Sequence, residues 1–167
     1  ELLFDCYAGA SADMSAIYAV IIDDDGCVLH SHCASAADDA PRPVYSGPSA
    51  YLFEPSPAIM KSGLFATLAA QYGLAKLAPA THLFTADHDK PGFPGHRYKV
   101  EDVLPVDRKA LKRAGITQAN VKCRNFPETP ADLQKRLRLG DGGDDCLFAC
   151  RFADDSYRLI HARRSGL

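Results

Sequence analysis

The sequence predicts an α+β fold: a small mixed or antiparallel sheet with about three helices on it, preceded by a β-rich N-terminal segment. Three observations carry this reading. Val121-Lys122-Cys123-Arg124 alternates apolar and polar residues, the period of a strand with one buried face, and Cys146, Phe148, Cys150 and Phe152 recur at every second position along one face of another. Other segments open on Ser, Thr or Asp and close at a turn residue, the punctuation of capped helices. The 167 residues, 47% hydrophobic and 24% charged, suit one packed domain or one with a small subdomain.

Taken in order, the apolar run 16–22 reads as a strand closed by the turn Asp23-Asp24-Asp25-Gly26, and residues 27–32 return as its hairpin partner. Residues 34–50 are rich in Ala, Ser, Asp, Pro and Gly, a linker or surface-loop composition. The domain boundary is placed there, dividing 1–44 from 45–167. Ser56-Pro57 caps and opens a helix over 57–72, with Ile59, Met60, Leu64 and Leu68 on its buried stripe and Gly73 at its end. Gly63 falls inside that helix at a cost of about 1 kcal/mol relative to alanine. Residues 82–85 and 96–104 read as strands. Asp107 then caps a helix over 107–114, and 118–125 is a strand ended by Phe126-Pro127. Thr129, Pro130 and Asp132 start a helix over 130–139, buried through Leu133 and Leu137, with Gly140 as its expected left-handed cap. After the turn Asp141-Gly142-Gly143-Asp144, residues 146–152 and 157–163 form a final hairpin.

The net charge of −2 conceals a segregation. Residues 1–44 hold eight acids against Arg42 alone, a balance of −7, whereas residues 108–138 hold nine bases against Glu128 and Asp132, a balance of +7. Surface fields act locally, so the contrast says more than the total. No apolar run approaches the length that spans a bilayer. Six cysteines in this length are too sparse for a disulfide scaffold. Cys123, Cys146 and Cys150 fall on apolar strand faces, so reduced thiols in a cytoplasmic protein are expected.

Several words, met in order, carry a family resemblance. They are Tyr51-Leu52-Phe53-Glu54-Pro55 with Lys61-Ser62-Gly63, Gly73 to Leu77, Thr81 to Thr85, Phe93-Pro94-Gly95 and Val100 to Pro105. The set closes with Arg124-Asn125-Phe126-Pro127, Lys135 to Asp144 and Leu147-Phe148-Ala149. Over roughly residues 50–163 the chain resembles the C-terminal THUMP-like domain of certain class I S-adenosylmethionine-dependent methyltransferase-like proteins. The resemblance implies a non-catalytic, RNA-handling module, with S-adenosylmethionine and the chemistry in an N-terminal methyltransferase domain. Residues 1–44 would be the end of that domain or the bridge from it. The chain opens on Glu1 rather than methionine, so a C-terminal part of a longer polypeptide is expected.

Residue chemistry supplies no catalytic constellation. His30 and His32 share a strand face beside Cys33, but no fourth metal ligand is evident. Residues 4–14 look like a cofactor loop, yet the strand-like run that follows is not the helix such a loop should open. The Asp141–Asp145 stretch lacks the further oxygens of a calcium loop. What remains is cationic: Lys109, Lys112, Arg113, Lys122, Arg124, Lys135, Arg136 and Arg138 are the candidate RNA-binding residues, expected to meet on one outer wall and hold phosphates. The alternative is an interaction module that packs on the catalytic domain or on itself, without RNA contact.

Overall fold

Turn and cap chemistry sets most element ends, and a computed structural model shows the result for residues 16–35 and 42–165. The readings made on residues 1–15 and 36–41 lie outside this described part. In chain order come β1 (Ala16–Ile22), β2 (Val28–Ser35), β3 (Tyr51–Pro55), α1 (Pro57–Ser62), α2 (Phe65–Tyr72), β4 (Ala75–Lys76) and β5 (Phe84–Ala86). They are followed by β6 (Gly95–Pro105), α3 (Arg108–Arg113), β7 (Asn120–Arg124), α4 (Pro130–Leu137), β8 (Asp145–Arg151) and β9 (Tyr157–Arg164).

The fold is α+β, as the sequence indicates, but the sheet is not small. Seven strands pair in the order β4-β5-β3-β6-β9-β8-β7, and β1-β2 form a separate hairpin. Every pairing is antiparallel except β7 with β8, which run parallel. A parallel pair needs a crossover, and α4 provides it. β6 serves both halves of the sheet. Its first residues pair with β3 and its later ones with β9, with a register shift between Val100 and Asp102. Such an irregularity bends a strand and raises its twist.

Four helices replace the expected three because residues 57–72 break in two. Ser56 caps α1 by accepting from the Ile59 N–H, and Gly63 ends it at φ 73°, so this glycine terminates a helix rather than interrupting one. Leu64 then starts α2. The end of α4 also departs from expectation. Arg138, not Gly140, takes the left-handed cap, at φ 55° and ψ 49°. Residues 82 and 83 fall short of β5 because His82 sits at φ 51°, off the strand conformation.

Three apolar cores fix the layers. Phe53, Ile59, Leu68, Phe84 and Phe93 join α1 and α2 to one face of the β3 end, where Ala19 and Ala34 of the hairpin also pack. Leu111, Leu133, Leu137, Leu147, Ala149 and Leu159 seat α3 and α4 on the β7–β8–β9 end. The third core draws on both halves: Leu52, Leu77, Leu83 and Tyr98 meet Phe148, Cys150, Phe152 and Ile160. The sheet is therefore rolled, with one face closed on itself and the helices outside.

Gly95 sits at a close backbone approach of β6 to β3. A Cβ there would stand 2.1 Å from the Glu54 carbonyl oxygen and 2.9 Å from Pro55 Cα, both backbone atoms. Gly95→Ala is expected to destabilise the fold by about 3 kcal/mol, the upper range for overpacking. Gly142→Ala, open around its Cβ but at φ 89°, should lose only about 1 kcal/mol, the cost of a left-handed alanine. Urea midpoints of the two variants check the order.

Candidate nucleic-acid interface

The eight candidate cations do not share one wall. β7 alternates: Val121 and Cys123 turn to the α3–α4 core, so Lys122 and Arg124 must point to the opposite, inner face. There Lys122 Nζ lies 5.5 Å from the Phe148 ring centre and 5.4 Å from that of Tyr98. The expected convergence of all eight is thus corrected, and strand pleating is the reason.

On the inner face both cations meet Glu54 of β3. Lys122 Nζ donates to Glu54 Oε2 at 2.6 Å and Arg124 Nη2 to Oε1 at 2.6 Å. The Tyr98 hydroxyl donates to Oε2 at 3.0 Å and accepts from Lys122 Nζ at 2.9 Å. Glu54 is only 5% exposed. Burial alone would raise its carboxyl pKa, but the hydrogen bond and charge of Lys122, with Tyr98 and Arg124, hold it below the usual range. Burial, then the neighbouring Glu54 carboxylate, pushes the Tyr98 phenol far up, so it stays a protonated donor.

The helical side is different. Arg108, Lys109, Lys112 and Arg113 on α3, and Lys135 and Arg138 at the end of α4, are all exposed. Among the described residues none of the six is joined to a carboxylate. Leu111 and Leu137, on the opposite faces of these short helices, anchor both in one core. The two helices therefore present their bases on neighbouring surfaces. Arg108, Lys112 and Arg138 line one cleft of about 210 Å³ together with Thr117 and the apolar Leu111, Ile116, Leu137 and Leu139. Arg136 is held apart, bound through Nε and Nη2 to both Glu128 oxygens at 2.8 and 2.7 Å. Of the eight predicted cations, Lys109, Lys112, Arg113, Lys135 and Arg138 stay on the helical side without an acidic partner. Arg108 joins them, a residue counted in the basic segment but not among the candidates.

The other motifs do not assemble a second site. His30 and His32 face inward, where His32 Nε2 meets Thr67 Oγ1 at 3.1 Å, while Cys33 lies on the other face opposite Tyr18. Among the described residues no group of three or more His, Cys, Asp or Glu could hold a metal. The Asp145 carboxylate is taken up across the strands by Arg163 Nε at 2.9 Å and His161 Nε2 at 2.8 Å. Five cysteines are described, all as free thiols, and burial pushes Cys150 up to about 12. No described helix is long and apolar enough to cross a membrane.

Two family models match this chain. A ferredoxin-like domain covers residues 51–94 and a THUMP domain-like family covers residues 95–164. The junction falls at the start of β6, so the two segments share one continuous sheet through the β3–β6 pairing. No curated protein matches. A solved structure from Porphyromonas gingivalis W83, described as a "putative methyltransferase", matches with a TM-score of 0.81 and 29% identity over 92% of this chain. The chain spans 39% of that protein's length.

The Glu54 cluster yields a pH prediction. A depressed carboxyl contributes stability that is present above the ordinary glutamate value of 4.5 and is lost as pH falls through the lower folded value. Glu54→Gln should cost about 3 kcal/mol at neutral pH, the low end for breaking a buried pair, because Lys122 and Arg124 keep side-chain exposures of 31% and 39%. It should also flatten the acid limb of a plot of urea midpoint against pH. An unchanged acid limb would remove Glu54 from the account.

Proposed function

We propose that the chain is a non-catalytic RNA-binding module serving a methyltransferase, and that it holds nucleic acid on the α3–α4 face. The observation that carries this reading is the set of six exposed cations on two adjacent helices with no carboxylate partner among the described residues. Cations that a fold needs internally are paired, as Lys122 and Arg124 are with Glu54. Unpaired ones release counterions when phosphates replace water and salt around them. The match of residues 95–164 to the THUMP domain-like family agrees, since such domains typically bind RNA. We assign methyl transfer, and S-adenosylmethionine as its donor, to a separate catalytic domain. The longer methyltransferase-like relative is the support for that assignment.

A different surface favours an interaction role. The outer face of the β1–β2 hairpin carries Tyr18 and Leu29, each 65% exposed, with Val20 and Ile22 beside them. An uncharged apolar run such as residues 16–22 is the pattern of a strand covered on both faces, and among the described residues its packing is on the inner face, at Ala19. This face suits docking on the catalytic domain or on a second copy.

Filter binding of single-stranded RNA over a salt series separates the two roles. Under the RNA reading the affinity falls with log salt at a slope of about 4 in magnitude, near 0.7 for each of six phosphate contacts. Lys112→Glu with Arg113→Glu should weaken binding at least about tenfold and flatten that slope, with the fold retained because both residues are exposed. Retention no better than that of an acidic control protein would reject the RNA reading. Self-association abolished by Tyr18→Lys would then support the interaction role.

A further inference from the structure

We infer that the cleft between α3 and the end of α4 is a clamp for a phosphate monoester, the terminal phosphate of a single-stranded RNA. This rests on the RNA-binding reading above and narrows it from a charged face to one chemical group. Three cations, Arg108, Lys112 and Arg138, line the cleft with Thr117, and no carboxylate is among the lining residues. Its volume of about 210 Å³ is far above the roughly 10–15 Å³ that admits a single water, room for a phosphate group and its ester carbon. The apolar part of the lining, Leu111, Ile116 and Leu137, is buried core and gives the cleft a firm floor.

Charge distinguishes a terminal phosphate from an internal one. A phosphate monoester carries about −1.5 to −2 at neutral pH and offers three strong acceptor oxygens, whereas a backbone diester carries one charge. Three cations lining one cleft match the former. Arginine forks suit phosphate oxygens in pairs, and lysine adds a point charge.

The backbone at Arg138 adds a second, independent sign. This residue caps α4 in the left-handed region, where glycine is the unstrained choice. Its N–H closes the helix on the Gln134 and Lys135 carbonyls, a role any residue would fill. Glycine would give the same cap without the strain, so what the arginine adds is a guanidinium on the cleft wall. Strained residues cluster where a side chain is used, and of the four described non-glycine residues at positive φ, His82, Asn125, Arg138 and Asp155, only Arg138 lines this cleft.

The test compares one short single-stranded RNA bearing a 5′-phosphate, a 3′-phosphate or hydroxyls at both ends, with adenosine monophosphate as a competitor. Binding at least about tenfold tighter to a phosphate-ended form than to the hydroxyl-ended one is expected, the equivalent of one charge-assisted hydrogen bond. The preferred end tells which terminus enters. Arg138→Gly should erase the preference while leaving Tm unchanged or higher, a pairing that damage to the fold would not produce. Lys112→Ala should reduce it without unfolding. Equal affinity for all three ends, with salt-sensitive binding intact, would overturn the clamp and leave the RNA reading standing. Retention of no RNA, even if adenosine monophosphate binds, would overturn both.

Discussion

The carboxylate of Glu54 joins the two ends of a rolled sheet. β3 and β7 are four strands apart in the sheet order, a separation of about 19 Å on a flat sheet at 4.8 Å per strand. Yet Glu54 lies 2.6 Å from both Lys122 and Arg124. Only a sheet coiled on itself allows this, and the coil is what buries Leu52, Tyr98, Phe148 and Ile160 in one core. The Thr81 hydroxyl donating to the Arg151 carbonyl closes the roll a second time. A buried acid needs compensation for its lost hydration, and three donors supply it: an amine, a guanidinium and a phenol.

This joint sorts the cations of the chain into two kinds. Lys122 and Arg124 are spent on closure, and Arg136 on a bidentate pair with Glu128. The bases of α3 and those at the end of α4 have no such employment among the described residues. The charge segregation read from composition is thus real in sequence but divided in space. The strand pair works inward, and the helical bases work outward. Under the proposed RNA reading, binding and stability reside in different residues, so each can be changed without the other.

Much of the fold was legible because local chemistry set it. Ser56, Asp107 and Thr129 each cap a helix where the sequence placed a cap, with side-chain oxygens accepting from Ile59, Ala110 and Asp132. The β1–β2 and β8–β9 hairpins likewise follow their turn residues. What stayed hidden was long-range. β4 is two residues long and exists because β5 pairs with it. Nothing near Glu54 in sequence announces the cations 68 and 70 residues away. The face assignment of Lys122 and Arg124 was recoverable from alternation, since the reading that turned Val121 and Cys123 to the core already sent their neighbours to the other side. Whether that side met solvent or another strand depended on the roll, which composition and periodicity do not encode. Arg138 in a left-handed cap defied the glycine rule because Leu137 is the last residue whose burial holds the helix.

The division of cations is tested most directly by amide chemical-shift mapping of the chain during titration with single-stranded RNA. The account predicts perturbations concentrated on residues 108–118 and 135–140, with β3 and β7 unmoved. Shifts centred on Glu54, Lys122 and Arg124, or none along α3 and the end of α4, would contradict it.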